Sequence, residues 1–283
     1  MHVAVLGATG GQGGAVVSTL LDSGQRVRAV VRNPVGARAQ ALEELGVEVV
    51  RGDLRDVPSL VAAFGGMDAA FAVTTPFEEG PQAEVDQGLT IIAAARQVKL
   101  AHLVLSSVAS ADRSTGVPHF ESKYRIEQAL RQESDDWTIV APTYFYDNML
   151  GDVENLRAGR LVLPYPVDRP LQQVARQDLA AVVAAAVVDR AGHLRRRIEV
   201  ASDAPSPARM AAALTRSLAS PVEAVRTPLD LRRRSSDDMV AMWAFLNEEG
   251  YTVDITALHR TYPAISWTTF DDWAQQLSRN ADS

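Results

Sequence analysis

The chain contains no cysteine. That single absence excludes disulfides, thiolate metal sites and a cysteine nucleophile together. No apolar run approaches the roughly 18 residues a bilayer-spanning helix needs. Basic side chains are in deficit: 28 Lys and Arg stand against 35 Asp and Glu, for a net charge of −7. Such a balance argues against nonspecific binding to nucleic acid or to an anionic membrane surface. No helix-turn-helix pattern offers direct DNA binding another route. The histidines stand at 2, 102, 119, 193 and 259, too scattered for a zinc cluster. The apolar residues at the start have no basic stretch ahead of them and read as a strand rather than a signal peptide. No internal repeat and no low-complexity segment is visible. The expectation is a cytoplasmic protein.

What is present is ordinary in bulk and specific at the start. Hydrophobic residues make up 47% and charged residues 22% of 283 positions, enough for a substantial core in one large or two small domains. The opening MHVAVLGATGGQGGAVVSTLL places a β-branched run ahead of a glycine burst and an apolar-periodic stretch ending at Gly24. That order builds an anion cradle. Gly7 turns the backbone off the strand, Gly10 keeps bulk away from a pyrophosphate, and Gly13 lets helix and strand pack closely. The helix then aims unpaired N–H groups and its positive dipole end at the anion, with Thr9 and Gln12 in the same turn. The spacing Gly7-x-x-Gly10-x-x-Gly13 resembles the extended and atypical short-chain dehydrogenase/reductases.

The rest of the first half alternates. Strands are expected at 2–6, 26–31, 47–53, 68–74, 102–107 and 137–142, and helices at 35–45, 57–64, 82–98 and 120–132. Gly46 suits a left-handed helix end and Asp56 an N-cap. Alternation of this kind predicts an α/β fold, a Rossmann-type doubly wound parallel sheet covered on both faces. The loops after residues 6, 31, 53, 74 and 106 then face one crevice at the carboxyl ends of the strands. After about residue 145 prolines crowd the chain and βα units thin out. Helices are expected at 177–190, 206–218 and 235–249, strands near 198–201 and 222–226, and a docking helix in the tail SWTTFDDWAQQL. The division is a 1–145 cofactor-binding lobe and a smaller 146–283 lobe that closes over the nicotinamide end without folding alone.

The loop after the second strand selects the cofactor. An NAD reader places a carboxylate there for the ribose 2′-OH; this chain reads AVVRNP, with Arg32 in the acid's place. A guanidinium clasps a 2′-phosphate through two bonds, so NADP(H) is expected over NAD(H), with Arg38 a second basic neighbour. Asp53 and Leu54, at the end of the third strand, are positioned to meet the adenine, or Asp53 caps a local turn. Thr74 and Thr75 end the fourth strand, where hydroxyls either bond the cofactor or satisfy the strand.

One more absence lies further along. A short-chain reductase protonates its substrate with a tyrosine four residues before a lysine, steadied by a strand-end serine. Here the string PHFESK puts His119 where the tyrosine would stand, ahead of Lys123, while Ser106 and Ser107 end the strand. His119 and Lys123 lie on one helix face. Lys123 is expected to hold the nicotinamide ribose. His119 either donates a proton, with Ser107 as helper, or caps and packs. Tyr144, Tyr146 and Asn148, after the sixth strand, are candidate substrate contacts or packing beneath the second lobe.

GATGGQGG, VVRNP, DAAFAVTTPFEE, HFESK and QVARQDLAAVVAAAV in this order resemble the NmrA-like family of atypical short-chain reductases. The resemblance implies a Rossmann fold that binds NADP(H) or NAD(P), with Gly7, Gly10, Gly13, Arg32 and Lys123 at cofactor positions. It also implies one of two activities. Some members reduce quinones or dyes by hydride transfer without the tyrosine, and others are redox sensors that bind cofactor and regulate a protein partner. The basic run Arg232-Arg233-Arg234, followed by Asp237 and Asp238, reads as a solvated helix face.

Overall fold

The computed structural model describes residues 1–229 and 236–281, so Arg232-Arg233-Arg234 lies outside the described residues. The chain runs β1 (His2–Leu6), α1 (Gly11–Asp22), β2 (Arg26–Val31), α2 (Ala37–Glu44), β3 (Glu48–Arg51), α3 (Val57–Phe64), β4 (Ala69–Val73), α4 (Pro81–Gln97), β5 (Leu103–Ser106), α5 (Pro118–Glu133) and β6 (Trp137–Pro142). It continues through β7 (Tyr144–Phe145), a 3-10 turn over Tyr146–Asp152, α6 (Val153–Arg157), β8 (Arg160–Leu163), β9 (Gln173–Val174) and α7 (Arg176–Val188). Then come α8 (Arg190–His193), β10 (Arg196–Val200), α9 (Pro207–Leu218), β11 (Glu223–Arg226), α10 (Asp237–Glu248), α11 (Ile255–Thr261) and α12 (Phe270–Ala281).

Seven parallel strands form the central sheet in the order β10-β6-β5-β4-β1-β2-β3. The Rossmann-type doubly wound arrangement is therefore present. The strand sequences show why: AVL, AAFA and LVLS offer side chains to both faces, and both are covered. Alternation separates them cleanly. Val3 and Val5 join the layer containing Val16, Val17 and Leu20 of α1 with Leu179, Val182, Val183 and Val187 of α7. Ala4 and Leu6 point the other way, toward Leu60 and Phe64 of α3, Ile91 of α4 and Ile126 of α5. The order reverses direction at β1, between β2 and β4, so the crevice opens above β1.

The segment near 198–201 forms β10 and pairs with β6 from Arg196 opposite Thr138 to Val200 opposite Pro142. The later chain thus extends the main sheet, and α7 covers it. The rest builds a third core: Trp243 and Phe245 of α10, Phe270 and Trp273 of α12, and Leu161 of β8 pack with Phe120 of α5. The strand expected near 222–226 is β11, paired in parallel with β8 away from the main sheet. Gly46 takes φ +79 after α2, as its place at a helix end requires. Asp56 sits at the N-cap of α3 without a side-chain cap bond; its carbonyl instead accepts from Ser59 Oγ at 2.8 Å. Among the described residues no helix is long and apolar enough to cross a membrane.

Candidate functional site

The loops after β1 to β6 reach one cavity of about 810 Å³, running from Arg32 and Arg38 past the glycine turn to Lys123, His119 and Tyr144. That size is in the range of small-molecule sites. Its floor is the turn after β1. Gly7 adopts φ +68, and the Gly10 N–H donates to the Gly7 carbonyl at 2.8 Å. A Cβ on Gly13 would fall 2.2 Å from the Gly7 oxygen, so α1 can begin this close to β1 only without a side chain there. No side chain caps α1. Its first N–H groups are left facing the cavity, which is the arrangement a dinucleotide pyrophosphate requires.

At the end of the cavity beside β2, Arg32 makes a two-pronged pair with Glu78, at 2.9 and 3.1 Å. Glu78 comes from the loop between β4 and α4, so a carboxylate from another strand faces the arginine that stands in the acid's place. Arg38 Nη1 donates to the Thr9 carbonyl at 3.4 Å. Asp53 accepts from the Arg55 backbone N–H at 2.9 Å, the local turn cap that was one of its two readings. That bond, against the cost of burial, holds its carboxyl below the usual range. Leu54 lines the cavity beside it.

At the other end, charges are buried in pairs. Lys123 Nζ lies 2.9 Å from Glu84 Oε1 and donates to the Thr74 carbonyl at 2.8 Å and the Thr74 hydroxyl at 3.1 Å. Glu84 is fully buried, and also accepts from Thr74 Oγ1 and Ser122 Oγ. The Thr74 hydroxyl is thus spent within the protein, and Thr75 Oγ1 accepts from the Phe77 N–H at 3.3 Å. His119 is held from the far side of the crevice: one oxygen of Asp238, in the first turn of α10, accepts from its backbone N–H at 3.0 Å and sits 2.8 Å from Nδ1. Nε2 is then the ring nitrogen available to a ligand. Burial would raise the Asp238 carboxyl, but its bonds to His119 outweigh that and hold it below the usual range. The Phe77 ring lies 5.7 Å from His119.

Three of the expected residues have their hydroxyls engaged within the protein. Ser107 lines the cavity, but its hydroxyl donates to Glu127, a fully buried carboxylate that also pairs with Arg197 at 3.0 Å. Its one proton is therefore committed, and it has only lone pairs to offer a substrate. Ser106 is likewise engaged, donating to Gln12 Oε1 at 2.8 Å. Tyr146 is not at the crevice: its hydroxyl donates to the Thr268 carbonyl at 3.0 Å, and its ring packs on Phe270 and Trp273. Tyr144 lines the cavity instead, beside Asn148 and with its ring 5.3 Å from Trp243, because the strand ends at Phe145 and the 3-10 turn that starts at Tyr146 redirects the second tyrosine. Burial pushes the Tyr144 phenol well above its ordinary value, which keeps it neutral.

The motif reading missed Glu84, Gln87 and Asp238. Gln87 lines the cavity and its Oε1 is buried without a partner. The signal for Glu84 was present: an acid on the α4 face that also carries Gly88 and Ile91, where only a paired charge is tolerated.

Several known proteins resemble the chain over most of its length. The chain is 29% identical over 239 residues to the NAD(P)H azoreductase of Xenophilus azovorans, covering 84% of this chain and 81% of that protein. It is 33% identical over 236 residues to the (4-alkanoyl-5-oxo-2,5-dihydrofuran-3-yl)methyl phosphate reductase of Streptomyces griseus subsp. griseus, covering 80% of each. The NADPH-dependent quinone oxidoreductase of Escherichia coli, solved with NADPH, superposes with a TM-score of 0.81 at 24% identity, covering 97% of this chain and 99% of that one. Residues 1–274 match the NmrA-like family pattern, and the chain belongs to the NmrA-like family.

Proposed function

We propose that this protein is an NADPH-dependent reductase that delivers hydride to a small conjugated acceptor of the quinone or azo class. The observation that carries the reading is the continuity of the crevice: the glycine cradle, Arg32 and the Lys123–His119 face line a single cavity. The azoreductase and the (4-alkanoyl-5-oxo-2,5-dihydrofuran-3-yl)methyl phosphate reductase support the reaction class, and Arg32 just after β2 supports NADP(H) over NAD(H).

The bound cofactor supplies a hydride from its reduced nicotinamide ring, and the acceptor takes that hydride and one proton. The protein's own residues bind and orient. The turn from Gly7 to Gly13 would hold the pyrophosphate, and Arg32 would exchange Glu78 for the 2′-phosphate. Lys123, neutralised by Glu84, spends its three N–H groups on Glu84 and Thr74, so it would reach a ribose hydroxyl by giving up the longest of these, the 3.1 Å contact to the Thr74 hydroxyl. Tyr144, Phe77 and Phe120 give the acceptor a largely apolar wall. A conjugated acceptor spreads the incoming charge and needs little general-acid help, which fits a site with histidine in place of tyrosine. A simple carbonyl concentrates charge on oxygen and needs the proton from His119 Nε2.

NADPH consumption against a panel of quinones, azo dyes and small carbonyls tests this, with His119→Phe alongside. Quinone or dye turnover should survive the substitution within about tenfold, whereas carbonyl turnover should fall by the 10²–10⁴ that general-acid catalysis is worth. Tight NADPH binding with no turnover on any acceptor would overturn the reductase reading in favour of the sensor alternative.

A further inference from the structure

We propose that Arg176, the first residue of α7, is a further cofactor ligand that contacts the pyrophosphate of the bound dinucleotide from the side opposite the glycine turn. This rests on the dinucleotide reading of the crevice and adds a residue from the later half of the chain. Arg176 lies in the QVARQDLAAVVAAAV segment and lines the same cavity as Gly10, Gly11 and Gln12. Its guanidinium fills the space a side chain at position 11 would take. A Cβ on Gly11 would meet Arg176 Cζ at 2.5 Å, Nη1 at 2.7 Å and Nε at 2.8 Å. The charged fork therefore lies directly against the first residue of α1.

Two features make that placement informative. First, it is rigidly set. Leu179, Val182 and Val183 of α7 pack in one layer with Val16, Val17 and Leu20 of α1. Asp178 is buried and pinned by Ser202 Oγ at 2.6 Å and by Thr268 N and Oγ1, both at 2.8 Å. Second, it is electrostatically uphill on its own. The start of α1 carries uncapped N–H groups and the positive end of the helix dipole, which repel a cation. Asp147, with Oδ1 3.3 Å from Arg176 Nη1, offsets part of this from the outer side. A phosphate oxygen between Arg176 and the α1 amides would satisfy both sets of donors, and the guanidinium fork matches phosphate geometry. The pyrophosphate is common to both coenzymes, so Arg176 should add affinity without adding selectivity. Arg32 should do the reverse.

Fluorescence titration of Arg176→Ala and Arg176→Lys tests the assignment, with NADPH, NADH and adenosine 2′-monophosphate as probes. The last keeps the 2′-phosphate and lacks the pyrophosphate. The alanine variant should bind NADPH and NADH each about tenfold more weakly, the value of one charged hydrogen bond discounted for solvent. It should bind adenosine 2′-monophosphate as the parent does. Its NADPH affinity should depend less steeply on salt, and lysine should restore part of the loss. Unchanged NADPH and NADH affinities would overturn the proposal. So would an equal loss for adenosine 2′-monophosphate, which would make Arg176 a structural support. If the alanine variant does not fold, Asp147→Asn carries the test: releasing Arg176 should tighten both dinucleotides about two- to threefold, and no change would count against the contact. A parent protein that binds neither dinucleotide would instead remove the cofactor reading itself.

Discussion

Arg32 and Glu78 meet across the crevice, so a 2′-phosphate arriving at Arg32 must displace a carboxylate. Both side chains are more than half exposed or nearly so, and such pairs are worth little, about 0–1 kcal/mol. The exchange is therefore favourable, because the incoming phosphate carries more charge than the carboxylate it replaces. Arg32→Ala should weaken NADPH by about tenfold and leave NADH within about twofold, read by parallel titrations; equal losses would contradict the selectivity. Lys123 and Glu84 behave differently because they are buried. Lys123→Met alone strands the Glu84 carboxylate at a cost of roughly 3–5 kcal/mol, while Lys123→Met with Glu84→Gln should recover most of it in urea unfolding. A double variant no more stable than the single one would contradict the pairing. These cases mark the limit of sequence reading at this scale. Gly7, Gly13, Arg32 and the His119–Lys123 spacing are visible because their meaning lies in short local strings. The partners of His119 and Lys123 come from α10 and α4, and no local pattern joins them.

At the scale of elements, alternation and glycine punctuation located every strand of the first half, since each buried strand is a short apolar run between turn residues. What they could not show is where a late strand goes. RRIEV has the same pattern whether it edges a small lobe or the main sheet; only its pairing with β6 places it. That edge is stitched by a buried histidine. His102, just ahead of β5, has Nε2 2.8 Å from Thr138 Oγ1 in β6, and that hydroxyl donates to the His193 carbonyl at 2.7 Å. Thr138 has one proton to give, so the His102 Nε2–H is the donor in their bond. Burial, with the nearby Arg190 charge adding to it, pushes the imidazole down from 6.5 to about 4. Between those two values the unfolded chain binds a proton that the folded chain refuses, so stability falls as pH drops from 6.5 toward 4. The loss should approach roughly 3 kcal/mol across that window. Urea unfolding at several pH values, with His102→Gln alongside, checks it. The variant should lose this part of the pH dependence, and an unchanged slope would assign the acid sensitivity to other groups.

For the whole molecule, the acidic balance and the crevice point in opposite directions. A chain with net charge −7 gathers Arg32, Arg38, Arg55, Lys123 and Arg176 around one cavity. Most of these are held by carboxylates at rest: Glu78 on Arg32, Glu79 on Arg55, Glu84 on Lys123 and Asp147 on Arg176. The site is a set of counter-charged donors: two surface pairs, on Arg32 and Arg55, that an anionic ligand can take over at small cost, a half-buried pair between Arg176 and Asp147, and one buried pair that stays. Both halves of the chain supply it, because β10 and α7 join the first half's sheet while α10 brings Asp238 to His119. The central claim is that hydride leaves NADPH inside this crevice. An anaerobic single turnover of NADPH-loaded protein with a quinone tests it most directly. The account predicts one quinol per NADPH, formed far faster than in buffer and more slowly when the nicotinamide C4 position is deuterated. NADPH that stays bound and is oxidised no faster than in buffer would contradict it.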